Sequence, residues 1–287
     1  MPFEKSPLEL ISLRTSVRSY RDEPLAEALL QRLRDFCEAQ TRGPFGGACR
    51  FRVLHLPDLA RGEARRLGTY GMIRGAGTFI AGVVGPGQRN LEDFGFLMEK
   101  IILFATDLGL GTCWLGGTFS RGGFAAQLRP EAGEVLPSAT PLGYALEKAN
   151  PLDRLIRWGA GARRRKPWAE IFFTESFTRP LREEKAGSYA QALEAVRLAP
   201  SASNRQPWRI LKQEAAQLFH FFLQRTPGYR LLTRVDLQRV DLGIALCHFE
   251  LAAESLGLKG RWILQAPVLQ GRPAALEYVS SWQGGER

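Results

Sequence analysis

A short polar stretch, L-A-P-S-A-S-N-R-Q-P-W-R-I at positions 198–210, holds the side chains best suited to binding a ligand. Four short polar side chains lie close together, and the first charge comes at Arg205; the four are Ser201, Ser203, Asn204 and Gln206. Hydroxyl and amide groups can both donate and accept hydrogen bonds. The pattern therefore predicts a hydrogen-bonding rim for a planar, polar ligand. A plain polar turn between a helix and a strand is the alternative.

Two basic stretches lie far from this loop in the sequence. R-T-S-V-R-S-Y, at positions 14–20, is a polar, basic loop, and R-R-R-K, at 163–166, is the densest basic run. The formal net charge is +10, and only seven of the 39 basic residues are lysines. Most of the arginines are dispersed among acids, which indicates a solvated surface with one or two anion sites. A nucleic-acid binder more often has a continuous basic face, so we expect no nucleic-acid partner.

Other candidate motifs lack the neighbouring residues or elements that their chemistry requires. G-L-G-T-C-W, at 109–114, follows a helix pattern, whereas a dinucleotide-binding glycine loop follows a strand and has a third glycine. His55, His220 and His248 are isolated and lack zinc spacing, and no Ser-His-Asp set suggests itself. His248 lies in an apolar helix pattern, so it is expected to be a satisfied helix residue and not a base. The four cysteines form no C-x-x-C pair, so we expect neither a metal site nor a disulfide.

The polar stretch needs a helix before it and a strand after it. Apolar residues at helical spacing predict a helix over Ser188–Leu198. Pro200 then ends the helix, because its ring disfavours the helical conformation of the residue before it. Trp208 begins the following strand.

The elements of the first part of the chain are predicted in the same way. Residues 1–13 form a lead-in, and Pro24 opens a helix, which is a favoured place for proline. Strands are predicted over Phe51–Leu56 and Phe79–Val84, and a long helix starts at Asp93.

An internal repeat relates the two parts of the chain. D-F-G-F-L-M-E-K-I-I-L-F-A-T-D-L-G-L-G-T-C-W, at 93–114, aligns without a gap with D-L-G-I-A-L-C-H-F-E-L-A-A-E-S-L-G-L-K-G-R-W, at 241–262. The two segments share D-x-G, L-G-L and the final Trp, and their apolar positions lie 148 residues apart. The strand sequences R-F-R-V-L at 50–54 and P-W-R-I-L at 207–211 extend the match. We therefore predict two copies of one unit.

The two copies differ in their polar residues. In the first copy, T-R-G-P-F-G-G at 41–47 takes the place of the Ser-x-Ser-Asn loop. In the second copy, E-S-F-T-R-P at 175–180 takes the place of R-T-S-V-R and lacks the paired arginines. Each copy therefore holds a different half of a possible site.

Length and composition are those of a globular protein. The chain has 287 residues, of which 45% are hydrophobic and 24% charged. No run approaches the roughly 20 apolar residues of a membrane helix, and the N-terminal residues lack the basic-then-apolar order of a signal peptide. We expect no membrane partner and a cytoplasmic location.

Three pieces in this order resemble the nitroreductase family of FMN-dependent oxidoreductases. They are R-T-S-V-R-S-Y at 14–20, G-L-G-T-C-W-L-G-G at 109–117 and A-P-S-A-S-N-R-Q-P-W-R at 199–209. Ordinary members are homodimers with FMN in the interface, and this chain resembles a fused, single-chain variety. The resemblance implies an α+β fold with two similar α/β halves, 1–166 and 167–287, packed as an intramolecular pseudo-dimer. It also implies a monomer with one working site, because each copy lacks part of the family's residues.

The resemblance also implies a set of FMN-binding residues. Arg14 and Ser16 would serve the phosphate, Arg18 the ribityl and the pyrimidine edge, and Arg163 and Arg165 would complete the phosphate site. A solvated linker is the alternative for the last two. Backbone at Gly116 and Gly117 would face flavin N5, with a plain turn as the alternative, and the 200–204 loop would bond the ring. The full set is Arg14, Thr15, Ser16, Arg18, Gly116, Gly117, Arg163, Arg165, Pro200, Ser201, Ala202, Ser203 and Asn204.

The function implied by the resemblance is hydride transfer. Hydride would pass from NAD(P)H to FMN and then to a flat, electron-poor acceptor such as a nitroaromatic or a quinone. A flavin-binding protein that stores or senses FMN without turnover is the alternative. The second, degenerate pocket is expected to be empty, or to be filled by Phe45 and Phe177.

Overall fold

The computed structural model describes residues 2–55, 73–117, 121–146, 164–213, 217–229, 235–269 and 273–285. The helices are α1 (Pro7–Leu13), α2 (Glu27–Ala39), α3 (Asn90–Asp107), α4 (Arg121–Leu128), α5 (Trp168–Ile171), α6 (Ala190–Leu198) and α7 (Leu237–Ser255). The strands are β1 (Cys49–His55), β2 (Thr78–Val84), β3 (Gly111–Thr112), β4 (Ala139–Gly143), β5 (Phe172–Thr174), β6 (Ser176–Pro180), β7 (Trp208–Gln213), β8 (Leu218–Gln224), β9 (Gly260–Ile263) and β10 (Leu276–Gly284). The mixed helix and sheet composition confirms the predicted fold class.

Most of the predicted elements are present with small shifts. α6 ends at Leu198, one residue before the extended Ala199, and β7 begins at Trp208. α2 starts at Glu27 and not at Pro24, because Ala26 is still extended. The predicted lead-in contains helix α1, which starts at Pro7 behind the capping hydroxyl of Ser6.

The strands form two sheets that repeat one order. The first sheet is antiparallel with the order β1-β2-β4-β3. The second has the order β6-β5-β7-β8-β10-β9, in which β7-β8-β10-β9 follows the same pattern and β5 joins β7 in parallel. This repeated order agrees with two similar halves.

The proposed correspondence between 175–180 and the R-T-S-V-R loop is wrong. In the first half, Ser16 pairs with Thr112 of β3, so the loop lies beside β3. Residues 176–180 form β6, at the edge of the second sheet opposite to β9, the counterpart of β3. The alternation in Ser176–Pro180 suits a strand, and β5 supplies its antiparallel partner.

The two repeated helices, α3 and α7, cross at the centre of the molecule. A Cβ on Gly95 would lie 2.2 Å from the carbonyl oxygen of Val240, and a Cβ on Gly243 would lie 2.0 Å from that of Glu92. The two contacts are equivalent in the repeat, because Gly243 lies 148 residues after Gly95 and Val240 lies 148 residues after Glu92. The D-x-G glycines therefore let the two helix backbones touch reciprocally.

One continuous apolar core surrounds this crossing. It includes Phe51 and Phe94 from the first half and Phe221, Phe249 and Trp282 from the second. Among the described residues, no helix is both long and apolar enough to cross a membrane.

Candidate functional site

The R-T-S-V-R loop leaves α1 and runs along β3. The backbone N–H of Val17 donates to the carbonyl of Thr112 at 2.8 Å, which holds the loop against the strand. Arg14, at the start of the loop, is buried, with 8% of its surface exposed. Burying a guanidinium is costly unless nearby groups compensate its charge, so the groups around Arg14 indicate what it binds.

Arg165 lies near Arg14. Its guanidinium donates to the carbonyl of Leu198 at 3.0 Å and to Oδ1 of Asn204 at 3.1 Å. Burial, followed by the charges of Arg14 and Arg197, lowers the pKa of Arg165 to about 10. Like charges disfavour each other at close range, so a site that gathers arginines is suited to an anion.

Glu99 of α3 links the loop to the rest of the site. Its Oε1 lies 3.7 Å from Nε of Arg14 and 2.8 Å from Nε2 of His248. Its Oε2 accepts a 2.7 Å hydrogen bond from the indole N–H of Trp114. His248 is bonded at both ring nitrogens, since Nδ1 also lies 2.9 Å from the carbonyl of Ala195. His248 is therefore a satisfied helix residue, as predicted.

The Ser/Asn loop has a strained backbone that its own side chains hold. Ser203, Asn204 and Gln206 have φ of 50°, 52° and 48°, which is uncommon for residues other than glycine. The hydroxyl of Ser201 accepts from the N–H of Gln206 at 2.8 Å, and Nδ2 of Asn204 donates to the carbonyl of Arg164 at 2.8 Å. Backbone strain of this kind gathers at ligand sites.

Ser201 and Asn204 thus use their side chains to shape the loop and to hold the 164–166 segment. Gln206, the fourth polar side chain of the stretch, does the same: its Oε1 accepts from the N–H of Lys166 at 2.8 Å. Ser203 is exposed, and its hydroxyl lies 3.3 Å from that of Tyr229. The sequence pattern did not identify Tyr229, which comes from the turn after β8.

The two D-x-G aspartates anchor equivalent loops. Asp93 accepts the backbone N–H of Phe45 at 2.8 Å and that of Gly47 at 2.6 Å. Asp241 accepts the backbone N–H of Ala202 at 2.9 Å. The 43–47 loop therefore takes the place of the Ser/Asn loop, in agreement with the sequence alignment.

The aspartates differ in how well they are satisfied. Oδ2 of Asp241 is buried without a hydrogen-bond partner among the described residues. Burial raises the pKa of Asp241 well above its ordinary value, and raises that of Asp93 to about 6 against the lowering effect of its two amide donors.

The first turn of α7 lies between the glycine loop and the Ser/Asn loop. A Cβ on Gly116 would come within 2.8 Å of the methyl groups of Leu237, while Ala202 bonds Asp241 one turn later. Gly117 is exposed. Gly116 and the Ser/Asn loop thus approach the same helix end from different halves of the chain.

The structure brings together most of the predicted set. Arg165 bonds Asn204 and is close enough to Arg14 for the two charges to affect each other. Thr15, Ser16 and Arg18 lie on the Arg14 loop, and Pro200 and Ala202 flank Ser201. Arg163 lies outside the described residues. Among the described residues, no group of three or more His, Cys, Asp or Glu side chains is arranged to hold a metal ion.

The two aromatic residues expected at the degenerate counterpart of the site lie in different places. Phe45 packs edge-on against Trp262, the counterpart of Trp114, with ring centroids 6.5 Å apart. Phe177 does not take part, because it packs against Phe222 at 5.0 Å in the second sheet.

The residues present suit the phosphate of FMN. Nε of Arg14 is buried and has no hydrogen-bond partner among the described residues. A buried N–H that lacks an acceptor is costly, and a phosphate oxygen would satisfy it.

Comparison with known proteins identifies the family of the chain and structures with a similar fold. A family model described as "Putative TM nitroreductase" matches residues 7–253. A search of curated proteins gave no match. The fold is similar to a crystal structure from Thermotoga maritima MSB8 described as a "putative nitroreductase", with a TM-score of 0.60, 19% identity, and coverage of 98% of this chain and 93% of that chain.

Two further structures match about half of the chain. One is a "putative nitroreductase in complex with FMN" from Desulfovibrio desulfuricans, with a TM-score of 0.41, 23% identity, and coverage of 53% of this chain and 95% of that chain. The other is a nitroreductase with bound FMN from Bacteroides fragilis NCTC 9343, with a TM-score of 0.39, 20% identity, and coverage of 51% and 91%. The family model spans most of the sequence, and the chain therefore belongs to the nitroreductase family that this model describes.

Proposed function

We propose that this protein is an FMN-dependent oxidoreductase with one FMN at the junction of its two halves. NAD(P)H is the hydride donor, and a flat, electron-poor compound such as a nitroaromatic or a quinone is the acceptor. The observation that carries the proposal is the convergence of buried Arg14 with Arg165 beside the Ser/Asn loop. The two arginines come from separate stretches of the sequence, 14–20 and 163–166, which resemble parts of the FMN site of the nitroreductase family.

The protein's own residues bind and orient the cofactor. Arg14 and Arg165 hold the phosphate dianion through charge-assisted hydrogen bonds, with Ser16 on the same loop, and Arg18 reaches the pyrimidine edge. Gly116 leaves backbone alone beside the ring, and the 201–204 loop meets the ring from the other half. When bound, FMN supplies the hydride chemistry, so no side chain is required as nucleophile or base.

The same residues explain why one site is proposed and not two. The reciprocal contacts of Gly95 and Gly243 support an intramolecular pseudo-dimer, in which a single chain does the work of two subunits. The second junction has Phe45 beside Trp262 where the first has the Ser/Asn loop and Trp114. That junction presents the rings of Phe45 and Trp262, and a phosphate buried there without a cationic partner would be strongly disfavoured.

Spectroscopy of the purified protein tests the proposal. We expect a flavin absorption spectrum that bleaches rapidly on addition of NADH or NADPH without oxygen, and that returns on addition of a quinone. Bound flavin that NAD(P)H fails to reduce would instead support the storage or sensing function. A colourless protein that does not take up added FMN would contradict the proposal.

A further inference from the structure

A buried acid–base pair joins the two halves directly behind Arg14. Glu99 of α3 and His248 of α7 lie 2.8 Å apart, and both are fully buried. Neither position is a copy of the other in the repeat, since the counterpart of Glu99 is Cys247. The pair is therefore specific to the junction that carries the arginines.

Hydrogen-bond geometry fixes the number of protons on this pair. A carbonyl oxygen can only accept, so Nδ1 of His248 carries a proton and donates it to Ala195 at 2.9 Å. One more proton must lie between Nε2 and Oε1 of Glu99, since two acceptors would repel at 2.8 Å. Whichever atom carries that proton, the charges of Glu99 and His248 sum to zero.

This neutrality matters for Arg14. The Nε of Arg14 lies 3.7 Å from the same Oε1, close enough to be oriented by the carboxyl group. A bare carboxylate there would cancel the charge of Arg14 at the short separation where Coulomb interactions are largest. With His248 in place, the positive charge remains available to a ligand.

We propose that Glu99 and His248 are positioning residues, which orient Arg14 while His248 keeps the carboxyl group of Glu99 from cancelling its charge. The proposal rests on the proposed binding of FMN. His248, which lies in the second half, thereby takes part in recognising the ligand phosphate that Arg14 of the first half binds. Trp114 completes the arrangement by fixing the other carboxyl oxygen at 2.7 Å.

The test compares the affinities of the apoprotein for FMN and for riboflavin, which lacks the phosphate. His248→Gln removes the shared proton and leaves a carboxylate beside Arg14, so the affinity for FMN should fall about tenfold or more while that for riboflavin is unchanged. Glu99→Gln keeps the pair neutral, so its affinity for FMN should stay within about threefold of that of the wild type. The double variant should regain most of the preference for FMN that His248→Gln loses.

His220→Gln is the matched control, because His220 is also buried in the second half but bonds only Ser281 among the described residues. The His220→Gln variant should keep the wild-type preference for FMN over riboflavin. Unfolding curves followed by circular dichroism show whether each variant apoprotein is folded. Equal losses for FMN and riboflavin in His248→Gln would overturn the proposal. A double variant that binds FMN more weakly than His248→Gln does would also overturn the proposal. If His248→Gln does not fold, a loss of FMN affinity in Glu99→Gln would overturn it instead. Wild-type protein that binds neither flavin would overturn the proposed function itself, and this inference with it.

Discussion

At the scale of single residues, the proposed site depends on an arginine placed where water cannot easily reach it. Arg14 is 8% exposed, and its position follows from the end of α1 at Leu13 and from the pairing of the loop with β3. Charge-assisted hydrogen bonds to phosphate are worth more at a buried site than at the surface. The affinity for FMN should therefore depend on this side chain.

Replacing Arg14 with alanine tests its role in binding the phosphate. We expect a loss of about 1.5–3 kcal/mol in FMN binding, or roughly ten- to a hundredfold in Kd, with little change for riboflavin. Isothermal titration of both flavins measures it. Arg34→Ala is the control, since Arg34 lies on α2 and pairs with Glu27. Unchanged FMN affinity in Arg14→Ala would remove Arg14 from the phosphate site.

At the scale of elements, α3 and α7 determine how the halves meet. Gly95 and Gly243 allow each backbone to touch the other, and the two contacts are reciprocal. A β-carbon at either position would overlap a backbone carbonyl, which cannot move without the whole helix.

The glycines of the crossing lead to a prediction about stability. Gly95→Ala and Gly243→Ala should each lower the free energy of unfolding by about 1–3 kcal/mol, and by similar amounts. Gly122→Ala, in α4 where a Cβ would meet nothing within 4 Å, should instead gain up to about 1 kcal/mol. Urea unfolding measures all three. A neutral Gly243→Ala would show that the helices do not meet as closely as described.

The D-x-G aspartates provide a matched pair of variants. Asp93→Ala leaves two backbone amides without an acceptor and should cost about 2–4 kcal/mol of stability with unchanged FMN affinity. Asp241→Ala releases Ala202 and should weaken FMN binding, because the Ser/Asn loop loses its anchor. Flavin titration and urea unfolding of both variants separate the effects. FMN binding that is weakened equally in both would contradict a single site.

At this scale the sequence predicted the long helices, their repeat and the strands that follow the loops. Local periodicity carries that information, because a core-facing helix shows its apolar stripe in the sequence. Contacts between distant residues have no such signal. Glu99 and His248 are 149 positions apart, and Tyr229 follows a strand without any motif. The assignment of 175–180 failed for the same reason, because sheet order decided its place.

At the scale of the whole molecule, buried carboxyl groups give the fold an unusual dependence on pH. Burial raises the pKa of Glu92 and of Glu250 to about 7, against the lowering effects of Arg239 and of the Trp262 indole, and raises that of Asp93 to about 6. The folded state therefore binds more protons than the unfolded state between about pH 4 and pH 7. The stability that these groups contribute is present at low pH and is lost as the pH rises through that window.

The free energy of unfolding should accordingly fall between about pH 4 and pH 7, by on the order of 2 kcal/mol for each such carboxyl group. Urea unfolding at several pH values measures the slope. Glu92→Gln should make the fall with pH shallower, and Glu9→Gln, at an exposed position of α1, should leave it unchanged. A stability that rises steadily from pH 5 to pH 7 would show that these groups are not buried in the folded protein.

Two halves with one complete set of ligand-binding residues form the central feature of this account. The first half supplies Arg14 and Arg165, and the second supplies the Ser/Asn loop, whose Asn204 accepts a hydrogen bond from Arg165. The opposite junction combines the 43–47 loop, held by Asp93, with an edge strand β9 and the ring of Trp262.

The number of flavins per chain tests this account most directly. Protein saturated with FMN and freed of excess is weighed, denatured, and its released flavin is counted by absorbance. We predict a ratio near one FMN per chain. A ratio near two would show that the junction beside Phe45 also binds flavin, and would contradict the single site.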